Sequence, residues 1–156
     1  MKQTPRMAKI QANMRPGVMS LHGFLGTDPR DLADILAEDD GLVRRKGYTH
    51  RDIAERMMEL REIGLAGLED FITVDPYFEV RVESVRGKLP CPFGDPGIFP
   101  KTNITVRNLK TGKEVVYTDL HIHMVQAHGF YEGKGSPFRI DPVELAEILE
   151  VKPEEN

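Results

Sequence analysis

Among the side chains of this chain with the most chemical potential at neutral pH are its five histidines and its single cysteine. His123 and His128 stand in H-x4-H spacing, with Cys91 upstream in a proline- and glycine-rich stretch. Imidazole nitrogen and thiolate sulfur are the donors that zinc takes in a tetrahedral set. Cys91, His121, His123 and His128 are therefore the candidate metal ligands, with Asp119, Asp95 or a water as other ways to fill the shell. A retained water is what a hydrolytic zinc requires, because the metal lowers its pKa toward neutrality. A second chemistry sits at Gly133-Lys134-Gly135-Ser136, followed by Arg139. Glycines beside a lysine let backbone N–H groups approach an anion, a serine hydroxyl can donate, and a guanidinium grips phosphate or carboxylate with two parallel hydrogen bonds. The spacing is not that of a P-loop.

The H-x4-H pair falls late on an expected helix that follows a hairpin, which resembles the distal half of a Cys-Cys-His-His zinc finger. The resemblance covers three side chains and implies zinc ligation by Cys91, His123 and His128; the usual C-x2-C partner is missing, since Gly94 stands where a second cysteine would. Further upstream, "YTHRDIAERM" resembles the second helix of helix-turn-helix modules. That resemblance implies His50, Arg51 and Glu55 on a reading face and Arg44, Arg45 and Lys46 on phosphate. The connection before it is longer than that motif uses.

His22-Gly23-Phe24 and His128-Gly129-Phe130 are each followed by Asp-Pro-x-x-Leu-Ala-x-Ile-Leu, with residues 25–27 between the two halves in the first copy and the longer 131–140 in the second. Asp-Pro is a general helix start and the apolar spacing a general buried stripe. His-Gly-Phe is less general: the glycine admits a tight turn, the phenylalanine anchors it, and the imidazole caps carbonyls or faces a ligand. The preferred sequence reading is a small binding or regulatory protein. His22, His128, Lys134, Ser136 and Arg139 would contact an anionic small molecule, phosphorylated or carboxylated, or an anionic protein partner. The alternatives are a zinc protein and a nucleic-acid-binding regulator.

The elements that must position these residues follow from periodicity. Asp28-Pro29 opens a helix with Leu32, Ile35 and Leu36 on one face, and the acidic run before Gly41 opposes the helix dipole, predicting a frayed end there. Thr49 caps a second helix carrying Ile53, Met57 and Leu60, which stops at Gly64 or Gly67. Phe78, Val80 and Val82 alternate with charged residues as a strand, and "NITVRNLKTGKEVVYT" is a hairpin. Residues 87–101, with four prolines and three glycines, predict an irregular loop. "TDLHIHMVQAHG" fits a helix capped by Thr118 or Asp119 and ended by Gly129, or a strand; the helix is preferred. Asp141-Pro142 starts a last helix through Leu145, Ile148 and Leu149. The expected fold is α+β, with an N-terminal helix pair, a small central antiparallel sheet with a long Pro/Gly loop, and C-terminal helices.

A chain of 156 residues is one domain's worth. Residues 1–17 form a basic, partly disordered arm, 18–150 the domain, and 151–156 a frayed tail. Apolar content of 40%, with no long apolar run, excludes a spanning helix. A net charge of −4 argues against a surface built to neutralise phosphates. A lone cysteine fits a reducing compartment, so the cytoplasm is the expected location. A homodimer is compatible with the chain's size and class.

Overall fold

A computed structural model describes residues 2–154 of the chain, in which helices and one antiparallel sheet pack in an α+β arrangement. Its elements are α1 (Pro5–Asn13), α2 (Leu32–Arg45), α3 (His50–Gly64), β1 (Ile72–Val74), β2 (Phe78–Pro90), β3 (Ile98–Asn108), β4 (Lys113–Thr118), α4 (Asp119–His128) and α5 (Pro142–Leu149). The strands form one antiparallel sheet in the order β1-β2-β3-β4. Among the described residues no helix is long and apolar enough to cross a membrane.

The alternation in β2 buries Phe78, Val80 and Val82 on one face of the sheet, together with Ile104 and Val106 of β3 and Val115 and Tyr117 of β4. Ile53, Met57 and Leu60 of α3 and Leu145, Ile148 and Leu149 of α5 close this core from above. Period-two and period-3.6 stripes thus meet on one apolar layer, the arrangement that removes most surface from water. The phenol of Tyr117 reaches through it to donate to the Met57 carbonyl at 2.7 Å.

A second apolar cluster lies on the other side of α4 and gathers Met14, Phe24, Leu25, Leu32, Ile35, Cys91, Phe93, Leu120, Met124 and Phe130. Helix α4 is the partition: Leu120 and Met124 face this cluster while Ile122 and Val125 face the main core. Burial on both sides explains why its sequence fits helix and strand templates alike. Thr118 decides the matter locally. Its hydroxyl accepts from the His121 N–H, and His121 Nδ1 accepts from the Thr118 N–H, a reciprocal cap at the helix start.

Several elements differ from their sequence expectation. The run 87–101 is not one irregular loop. β2 and β3 remain paired out to Pro90 and Ile98, leaving only a short turn between them. A register shift between Val85 and Lys88, with Gly87 at φ +115°, absorbs the irregularity, and Pro90 and Pro100 are tolerated in the distal ladder beyond it.

Helix α2 starts at Leu32, because the Asp28 carboxylate is engaged elsewhere. Its first free N–H groups are met by Gln11 (to Leu32, 2.8 Å) and Gln3 (to Ala33, 2.9 Å). These contacts, with Met14 fully buried, hold most of the basic segment as helix α1; Met1 lies outside the described residues. α2 does not stop near Gly41 but runs on to Arg45, since Val43 packs in the core and Arg44 and Arg45 in the last turn suit the dipole. After α5, Val151 is buried and the Glu154 N–H donates to Gly47, while residues 155 and 156 lie outside the described region.

Candidate metal centre

The short turn at the tip of the β2–β3 hairpin starts at Cys91, and the Gly94 N–H closes back on the Cys91 carbonyl at 3.0 Å with Gly94 at φ +91°. This curl directs the backbone N–H groups of Phe93 and Asp95 at the Cys91 sulfur. It also brings the Asp95 carboxylate beside the thiol, with Sγ to Oδ2 at 3.8 Å. The wall opposite is α4. His128 is its last residue and Gly129, at φ +62°, ends it; His123 lies on the preceding turns.

The four side chains converge. Asp95 Oδ2 lies 2.8 Å from His123 Nε2 and 2.7 Å from His128 Nε2, and Cys91 Sγ lies 3.8 Å from His128 Nε2. One donor atom from each residue falls within 4.8 Å of all the others. A zinc tetrahedron with bonds of roughly 2.0–2.3 Å separates its ligand atoms by roughly 3.3–3.8 Å. The two sulfur distances already match. The two carboxylate–imidazole distances are those of hydrogen bonds and would open by roughly half an ångström around an ion.

The surroundings suit soft and borderline donors. Phe93 stacks on the His128 ring with centroids 3.9 Å apart, and Phe99 lies over His123 at 4.7 Å. Burial pushes the Cys91 thiol up, against the pull of the two backbone N–H groups. The hydrogen bond from His128, joined by that from His123, holds the Asp95 carboxyl below the usual range despite partial burial. Asp95 is the most exposed of the four, with a third of its side chain open to solvent, whereas Cys91 is buried.

Of the residues singled out from sequence as ligands, the structure brings Cys91, His123 and His128 together and supplies Asp95 as the fourth. His121 is not among them. Its Nε2 bonds the buried Glu132 carboxyl at 2.5 Å, and its Nδ1 caps α4. Asp119 is also elsewhere, paired with Arg61 at 2.5 Å. The available signal for Asp95 was Cys91-x3-Asp95 spanning a glycine turn; nothing in the sequence flagged Phe93 and Phe99 as the flanking rings.

The two His-Gly-Phe turns do lie side by side. Gly23 and Gly129 both adopt left-handed backbone, Phe24 and Phe130 share the second cluster, and the Gly133 N–H donates to the Phe24 carbonyl at 2.9 Å. The donors of the loop after Phe130 meet protein acceptors. Arg139 forms a two-pronged ion pair with buried Asp39 at 2.8 and 2.9 Å and also donates to the Glu132 carbonyl. Ser136 donates to Glu132, the Lys134 N–H donates to Asp28, and Lys134 Nζ lies 3.4 Å from Glu38. Gly133 and Gly135 serve close chain contact: a Cβ at Gly133 would lie 2.5 Å from the Leu25 carbonyl oxygen, and at Gly135 2.2 Å from Thr27 Oγ1. His22 is exposed, edge-on to Phe138.

In the helix pair, His50 bonds Tyr131 and Asp40 through its two ring nitrogens, Arg44 pairs with Asp40, and Arg51 pairs with Glu55. Arg45 and Lys46 remain exposed beside them. The exposed face of α3 carries Glu55, Glu59 and Glu62.

No family model, curated protein or solved structure matches the chain. The class defined by fold and site together is an α+β domain with a Cys-Asp-His-His cluster joining a hairpin tip to a helix.

Proposed function

We propose that this protein binds a divalent transition metal, zinc by its donor chemistry, through Cys91, Asp95, His123 and His128. One observation carries the reading: a single carboxylate oxygen collects two imidazole nitrogens within 2.8 Å, with a cysteine sulfur 3.8 Å away. One sulfur, two nitrogens and one oxygen from protein make a closed tetrahedral set, the pattern of a structural zinc. Sulfur and imidazole favour zinc over magnesium or calcium, which take oxygen ligands. The two ligands on the turn and the two on α4 come from segments far apart in sequence, so the ion would staple the hairpin tip to the helix. A water-activating role would require a further coordination position, opened by Asp95, the most exposed ligand, or added to the four; the staple requires neither.

Metal analysis of protein purified without chelator tests the proposal. About one zinc per chain is expected, lost in Cys91→Ala and in His123→Ala but kept in His121→Gln. Substituted cobalt should show a thiolate-to-metal charge-transfer band that disappears in Cys91→Ala. Metal-free parent protein that also fails to take up zinc or cobalt in titration would overturn the reading.

A further inference from the structure

A cavity of about 290 Å³ opens between the distal half of the β2–β3 hairpin, the N-terminal half of α4 and the first His-Gly-Phe turn. None of the four candidate metal ligands lines it. Its walls are mostly apolar, formed by Phe24, Leu89, Phe99, Leu120, Met124 and Phe138. Phe138 is more than half exposed although it borders this concave apolar surface. A concave apolar surface with a few convergent polar groups is the usual form of a small-molecule site.

The polar groups divide into two kinds. On the inner side, His121 and Glu132 are already satisfied: His121 bonds Glu132 and Thr118, and Ser136 donates to the second Glu132 oxygen. They shape the cavity without offering a free donor. Lys101 and Asn103 differ. Together with Phe99 they form an i, i+2, i+4 row on one face of β3, and all three line the cavity. Among the described residues neither the Lys101 ammonium nor the Asn103 amide has a side-chain hydrogen bond or ion pair.

We infer that this cavity binds a small aromatic carboxylate, with its ring between Phe99, Leu120 and Met124 and its carboxylate at Lys101 and Asn103. The volume suits a single ring with a short side chain. The row on β3 sets the order of contacts, ring surface first, then a cation and an amide donor. A neutral analogue would leave the ammonium unanswered, and an amine would meet it with like charge.

Titration calorimetry of the full chain with 3-phenylpropanoate, 3-phenylpropanol and 3-phenylpropylamine tests the inference. Saturable binding of the acid is expected, with the alcohol and amine weaker by about tenfold or more, the loss of one charge-assisted contact. Lys101→Ala should lower affinity for the acid by a similar factor, and Lys101→Arg should retain most of it. Val85→Trp places an indole at the mouth from a partly exposed strand position, so it should block binding without unfolding the protein. The inference fails if the acid does not bind saturably. It also fails if all three probes bind alike, if Lys101→Ala binds the acid as the parent does, or if binding survives Val85→Trp in folded protein.

Discussion

In the loop after α4, the cationic and hydroxyl groups between Lys134 and Arg139 have found protein acids: Arg139 meets Asp39, Ser136 meets Glu132 and Lys134 meets Glu38. At the hairpin tip, two imidazoles and a thiol crowd one carboxylate instead. Both regions are glycine-containing turns with polar side chains, and the first has the more conspicuous sequence. The difference lies in what remains to be satisfied. The loop's charges neutralise one another in pairs, a pattern that anchors a chain. The tip gathers electron-pair donors that have little to offer one another except a shared proton, a pattern that a cation completes. Local composition therefore says less about a ligand than the balance of donors and acceptors after folding.

The contrast is most directly broken at Arg139. If it anchors the loop, Arg139→Ala leaves Asp39 buried without its partner and should cost about 3–5 kcal/mol, a fall in Tm on the order of 10 °C. Asp39→Leu combined with Arg139→Met should recover much of that loss in the same thermal melts. An alanine variant as stable as the parent would mean that this side chain is free for another task.

The tip should respond to metal. Zinc at about a hundred times its Kd should stabilise the parent by roughly 2.7 kcal/mol and leave the His123→Ala melt unmoved. A stabilisation of equal size in the variant would show that zinc acts elsewhere.

A similar magnitude is expected from acid. Burial opposes ionisation of Asp28, but hydrogen bonds from Arg30 and from the backbone of Arg30 and Lys134 hold its carboxyl down to about 2. Because the folded value lies below the unfolded one, its stabilisation is present above about pH 4 and is lost as pH falls toward 2. Denaturant melts should show a loss of roughly 2 kcal/mol across that window, and Asp28→Asn should flatten it. The smallest effect belongs to Lys134, whose ion pair with Glu38 is exposed. Lys134→Ala should shift stability by less than about 0.5 kcal/mol in the same assay.

Much of the fold was legible in the chain because its signals are local. The Phe78, Val80, Val82 alternation, the Thr49 and Thr118 caps and the Ile53, Met57, Leu60 stripe each depend on backbone geometry within a few residues. The expectations that did not hold were those that hydrogen bonding and packing in the folded chain decided. Asp28 suits a helix cap until Arg30 and the Lys134 N–H claim it, and α2 outlasts Gly41 because Val43 has a core to enter. The proline-rich run extends a ladder because a bulge at Gly87 lets it.

The candidate site divides the same way. Residue type and spacing were enough to single out Cys91, His123 and His128, since donor chemistry belongs to the side chain itself. That Asp95 rather than His121 stands with them was decided only by tertiary structure. The tip turn and the last turns of α4 meet in space, while the reciprocal cap with Thr118 and the bond to Glu132 hold His121 away. Chemical capacity is written one residue at a time, but convergence is a property of packed elements, and contacts between distant segments have no fixed sequence spacing.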